Sequence, residues 1–279
     1  MQHMNGGRNY GPVSFMRAKS AKSLLAAWIC LVPMIGGCEM ADPNEFRLNT
    51  SSVTEVFGTG VQRELARAAA KGDTAQIKRL IEEKKADPNG EGNETITPVF
   101  WAMFAKNYAG LQTLLELGGD PNKPMWLSAG KNLPKSERWA LIQAATWEDL
   151  QMMEILLKAG ANPNIGNKRV SALHRVAHNI EAVKLLVKYG ADVNQTTVTG
   201  GVAMAMFGNL DTIIFVLEKG YHHELDGLMY QVLEHYPSTI PGRAEQQEKI
   251  LAMLRAKGIK PLVPPCVIEK TCKAPKVME

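Results

Sequence analysis

The chain has 279 residues, with 32 Lys and Arg against 28 Asp and Glu, giving a formal net charge of +4. A hydrophobic content of 45% and a charged content of 22% fit a folded globular chain and exclude a disordered one. The whole excess lies in residues 1–37, where Arg8, Arg17, Lys19 and Lys22 stand without an acid; from Cys38 onward 28 basic residues balance 28 acidic ones, which removes the case for nucleic acid that a pI near 8.8 would make. The first element in chain order is a leader. Met16, Arg17, Lys19 and Lys22 form a short basic stretch, and Leu24 through Ile35 form a charge-free apolar run. That run is shorter than the roughly 20 residues a bilayer-spanning helix needs. Gly36 and Gly37 then lead into Cys38.

Ile35-Gly36-Gly37-Cys38 resembles the lipobox of bacterial lipoproteins. The resemblance implies cleavage before Cys38 and acylation of that cysteine; a plain signal peptide, or an anchor helix that happens to hold a cysteine, is the alternative for the same residues. Acyl chains contribute about 0.8 kcal/mol per buried CH₂, so two or three of them anchor a protein permanently. Glu39 follows the cysteine where inner-membrane lipoproteins carry Asp, which by the same resemblance implies the periplasmic face of the outer membrane in a Gram-negative cell. Residues 38–60 are polar and punctuated by Pro and Gly, and they read as a flexible tether.

A phrase then recurs. Leu114-Leu115-Glu116-Leu117-Gly118-Gly119-Asp120-Pro121-Asn122 returns as Leu156-Leu157-Lys158-Ala159-Gly160-Ala161-Asn162-Pro163-Asn164 and as Leu186-Val187-Lys188-Tyr189-Gly190-Ala191-Asp192-Val193-Asn194. Leu80 through Asn89 is a variant with one extra residue, and the closing asparagines stand 33, 42 and 30 residues apart. Thr97-Pro98-Val99-Phe100-Trp101-Ala102 and Ser171-Ala172-Leu173-His174-Arg175-Val176-Ala177 supply a second phrase ahead of the first. Both halves resemble ankyrin repeats, which implies an all-α solenoid over residues 61–262, built of about six helix-turn-helix repeats with short β-turn fingers. Thr97 and Ser171 fit as helix caps, Pro98 as a first-turn residue, and glycines 118, 160, 190 and 220 as left-handed helix ends.

The departures from the period carry information. About nine extra residues follow Asn122 and contain Trp126, and insertions of this kind fall on one face of a solenoid. Carried over from the ankyrin pattern, the concave positions hold Trp101, Phe104, Trp147, Arg175, His178 and Phe207, with Trp126 in the insertion and Trp139 at the head of the third repeat. Trp, Tyr and Arg dominate interface energetics, so this row is the expected protein-binding face, although single members could instead fill gaps between irregular repeats.

Chemistry of other kinds is scarce. His174 and His178 stand four apart on one helix and could pair on a metal, but Arg175 occupies the place where a zinc protease needs its glutamate, and His174 is where ankyrin repeats put a structural histidine. The sequence has no G-x-S-x-G and no phosphate-cradling loop, so neither catalysis, a cofactor nor a metal is expected. In the tail, residues 263–279, Cys266 and Cys272 are spaced to close a small disulfide in an oxidising compartment, the alternative being a metal half-site without its second pair. Exported ankyrin lipoproteins resemble immunity proteins that neutralise type VI secretion effectors, notably phospholipases. That resemblance implies a secreted toxin as partner, with an envelope scaffold bound to one of the cell's own proteins, as in oxidative-stress defence, as the alternative.

Overall fold

The computed structural model describes residues 47–48, 51–128, 135–167, 170–195, 209–235 and 242–260. The leader with Cys38, the Cys266 and Cys272 pair, and Phe207 lie outside the described residues. The chain divides into two compact units, residues 1–41 and 42–279, and every described residue belongs to the second.

The second unit begins with folded structure where a tether is expected. Strands β1 (Arg47–Leu48) and β2 (Ser51–Ser52) pair antiparallel and lead into helix α1 (Val53–Phe57). Ser52 and Glu55 form a capping box: the Ser52 hydroxyl accepts the Glu55 N–H and the Glu55 carboxylate accepts the Ser52 N–H. Val53, Val56 and Phe57 are buried, and the Asn93 side chain donates to the Glu55 carbonyl. The expectation of a tether over 38–60 is therefore corrected for its last ten residues, which cap the exposed end of the first repeat.

Helix pairs follow in the expected rhythm. The first repeat is α2 (Val61–Lys71) with α3 (Thr74–Glu82), the second α4 (Pro98–Phe104) with α5 (Tyr108–Glu116), the third α6 (Ala140–Thr146) with α7 (Leu150–Lys158), and the fourth α8 (Ala172–Arg175) with α9 (Ile180–Lys188). Helix α10 (Leu210–Glu218) is the second helix of the fifth repeat, and α11 (Leu225–His235) with α12 (Arg243–Ala256) closes the stack. Thr97 and Ser171 cap α4 and α8, and Pro98 opens α4, as the resemblance implies. Leu80, Leu114, Leu156, Leu186 and Val216 are each at most 1% exposed, and each side chain of this size contributes about 1.5–3 kcal/mol when buried. The paired aliphatics thus form one continuous seam between the two helix rows.

Two glycine-dependent features fix the spacing of the seam. The second helices end on Gly118, Gly160, Gly190 and Gly220, all left-handed with φ between 89° and 96°. Inside α5, a Cβ on Gly110 would lie 2.0 Å from the carbonyl oxygen of Ala69 in α2. Alanine is about 1 kcal/mol better than glycine in a helix. A backbone clash in a packed interior costs about 1–3 kcal/mol, so the net sign is unfavourable. We expect Gly110→Ala to lower the denaturant midpoint, although the same change at an exposed helix site would raise it.

An asparagine ladder joins the fingers. Asn89 accepts the Asp120 N–H at 2.7 Å and donates to the Gly118 carbonyl at 2.8 Å. Asn122 repeats this with Asn162 N–H and the Gly160 carbonyl, Asn164 with Asp192 N–H and the Gly190 carbonyl, and Asn194 with His222 N–H and the Gly220 carbonyl. Each asparagine's own N–H is held by the side chain two residues earlier, Asp87, Asp120, Asn162 or Asp192. The position needs a donor and an acceptor on one short side chain, which is why the sequence repeats Asn there and not Asp. Asn164→Asp keeps the acceptor and sets a carboxylate against the Gly190 carbonyl. The expected loss, about 1–2 kcal/mol, is at least that of Asn164→Ala and is read from paired urea melts.

The insertion after Asn122 forms a hairpin of β3 (Met125–Ser128) and β4 (Lys135–Arg138), with Trp126 opposite Glu137. Met125 is buried, and the Trp126 N–H donates to Thr95 Oγ1 of the preceding finger at 2.8 Å. A smaller hairpin, β5 (Gly166–Asn167) with β6 (Val170–Ser171), precedes α8.

Candidate protein-binding face

The turn joining the two helices of a repeat reverses the chain through a left-handed residue followed by a cap. In the first repeat this is Gly72, φ 73°, followed by Asp73, which accepts the Gln76 N–H. In the second and third repeats the left-handed residues are Lys106 (φ 56°) and Glu148 (φ 54°), followed by the caps Asn107 and Asp149. Among the described residues four further non-glycine side chains adopt positive φ: Lys85, Glu94, Thr95 and Glu224. Of these, Lys85 takes the left-handed helix-end position that Gly118, Gly160, Gly190 and Gly220 hold in the later repeats.

The side chains on these two turns form one network. Phe104 and Trp147 meet edge to face with ring centroids 5.6 Å apart. The Lys106 ammonium stands 4.2 Å from the Trp147 ring centroid and 2.9 Å from Asp149 Oδ2. Tyr108 donates its hydroxyl to the same carboxylate oxygen at 2.9 Å, while Asp149 Oδ1 accepts the Met152 N–H. Burial alone would raise the Asp149 carboxyl, but the Met152 N–H, the Lys106 ammonium and the Tyr108 hydroxyl together hold it below its ordinary value. Burial, and then the Asp149 carboxylate, push the Tyr108 hydroxyl up. One turn further along the stack, His178 Nε2 lies 3.1 Å from Glu148 Oε1. Leu150, the first residue of α7, is 38% exposed beside the turn.

Stability offsets the strain at Lys106 but not at Glu148. A left-handed non-glycine residue costs about 1–2 kcal/mol. At Lys106 the ion pair and the ring contact contribute about 0.5–1 kcal/mol each, which roughly offsets the strain. At Glu148 the return is a single contact to the His178 imidazole between side chains 49% and 46% exposed, and even a fully charged pair so exposed contributes about 0–1 kcal/mol. Glycine, as at Gly72, would serve the turn at lower cost.

Of the side chains expected on this face, the structure brings together Phe104, Trp147 and His178. Arg175 is exposed at the end of α8. Trp126 is 38% exposed, but it stands on the hairpin at the opposite end of α6, about 10 Å of helix from Trp147. Two expectations are corrected. Trp101 is 0% exposed, because Phe57 of α1 meets it edge-on at 5.7 Å and the cap covers the position that Arg175 leaves open in the fourth repeat. Trp139 is 9% exposed, since it takes the cap position of α6 without a capping side-chain bond and turns into the core. Lys106, Tyr108, Glu148, Asp149 and Leu150 belong to the same candidate face and are not singled out by the repeat pattern alone; the signal for two of them is a charged residue where the turn calls for glycine. His174 is half-buried, and burial followed by the Arg175 charge lowers its pKa. Among the described residues no three His, Cys, Asp or Glu side chains converge as metal ligands.

The family model for ankyrin repeats (3 copies) matches residues 126–197 and 141–227. The described helices, the asparagine ladder and this match show an all-α fold of stacked ankyrin repeats. Among relatives, the chain is 34% identical over 118 residues to the transient receptor potential channel pyrexia of Drosophila melanogaster, a match covering 41% of this chain and 11% of that protein. It is 29% identical over 146 residues to Protein PhlB of Serratia liquefaciens, covering 52% of this chain and 58% of that one. The chain thus spans about a tenth of the first relative and somewhat over half of the second.

Proposed function

We propose that this chain is an exported lipoprotein, anchored through Cys38 at the periplasmic face of the outer membrane, that captures a protein partner on the face around Trp147 and acts by occlusion, not by catalysis. The observation that carries the binding reading is the Phe104, Trp147, Lys106, Asp149 and Tyr108 network: a half-buried aromatic anchor held in place by charge before any partner arrives. Preorganisation of this kind lowers the ordering cost of association. The lipobox-like Ile35-Gly36-Gly37-Cys38, behind a basic and then apolar stretch, supports the address.

Within that reading the partner is a secreted antibacterial effector, phospholipases being the class to which the resemblance points, and the protein is its immunity factor. A fixed periplasmic location and a preorganised face suit interception of an incoming toxin. The test joins pull-down from the cell envelope to deletion of the gene. The expected result is capture of an effector encoded nearby and sensitivity of the deleted strain to it. Capture of one of the cell's own proteins, with no change in sensitivity, would replace immunity by an envelope scaffold.

A further inference from the structure

We infer that Lys106 and Glu148 select the partner, and that the partner's contacting segment carries a carboxylate that meets Lys106 and a basic group that meets Glu148, on either side of an apolar side chain seated against Trp147 and Leu150. This rests on the binding role given above to the face.

Lys106 and Glu148 occupy the same left-handed turn position in consecutive repeats, where the first repeat has Gly72. Gly208 holds the matching place in the sequence of the fifth. A charged residue at this position strains the backbone, and the cases where such strain persists concentrate at functional sites. Both side chains reach the next repeat, so they bracket Trp147 along the stack: Lys106 touches its ring, and Glu148, its neighbour in sequence, turns toward His178. Asp149 is fully engaged by Lys106, Tyr108 and the Met152 N–H, and its side chain is only 10% exposed. It therefore acts as a fixed counter-ion that sets the position of the Lys106 ammonium. That ammonium has three N–H donors, of which Asp149 takes one and the Trp147 ring another, and its side chain remains 43% exposed. Glu148 meets His178 through one carboxylate oxygen, and among the described residues the other makes no contact and is the one that would take a partner's cation. A cation and an anion fixed around an aromatic anchor recognise a segment of the reverse charge order and reject one of the same order, the usual source of specificity at a charged rim.

The experiment uses the full chain, its K106G, E148G and K106G/E148G variants, and an array of synthetic peptides in which acidic, basic and apolar positions vary independently. The wild type is expected to retain peptides that place an acid and a base around an aromatic or branched apolar residue. The double variant should lose at least about ten-fold of that retention, equivalent to about 1.4 kcal/mol. Its thermal midpoint should hold or rise, by about 2–4 °C for each strained residue fully relieved. A midpoint that falls with both substitutions would make the pair structural clasps and overturn the inference, as would unchanged peptide retention or a wild type indifferent to charge order. A wild type that captures a folded protein but retains no charge-patterned peptide overturns only this inference. A wild type that binds neither protein nor peptide overturns the binding role itself.

Discussion

Trp101→Ala is expected to lower stability by about 3–5 kcal/mol, the range for emptying a large aromatic site in a core. The side chain is 0% exposed and lies between the N-terminal cap, through Phe57, and the buried residues of α4. Its removal leaves a cavity at the junction of the cap and the first two repeats, and a stack of this kind transmits such a loss through its neighbour interfaces. A denaturant melt followed by circular dichroism should show a lowered midpoint. Phe57→Ala should lower it by a similar route, and the double variant by less than the sum, because the two rings share one contact. Had Trp101 stood free on the concave face, as the repeat pattern alone implies, its loss would scarcely move the melt.

Trp147→Ala should behave in the opposite way. Its ring is half-buried, in contact with Phe104 and under the Lys106 ammonium, so truncation removes surface contacts more than core. The melt should shift little, while the affinity for a captured partner should fall by about 2 kcal/mol or more, roughly 30-fold, as expected of an aromatic hot spot. The two tryptophans, 46 positions apart, thus separate folding from binding.

Most of the scaffold is legible in the chain. The helix pairs, their Thr97 and Ser171 caps and the glycine ends follow from local chemistry, because each device acts within a few residues. The asparagines at 89, 122, 164 and 194 are visible as a period, yet their purpose, a donor and acceptor pair bridging consecutive fingers, exists only once the repeats stack. The N-terminal cap is harder to read: its polar surroundings look like a linker, although the Ser52 to Glu55 capping box is written in the sequence. Missing that cap is what misplaces Trp101, whose burial depends on a residue 44 positions away. The face itself was half legible. Phe104, Trp147 and His178 stand at the positions the ankyrin resemblance assigns, whereas the Lys106 to Asp149 contact spans 43 residues across a hairpin insertion that alters the repeat spacing. What local reasoning does expose is the absence of glycine at 106 and 148.

Binding at the Trp147 face is decided by a calorimetric titration of the full chain, as wild type and as Trp147→Ala, with the purified protein that the wild type captures from the cell envelope, each sample checked by its melting curve. A face centred on Trp147 predicts a drop in affinity of about 30-fold with an unchanged melt. Equal affinity for both chains would contradict it and place the partner on another surface of the solenoid.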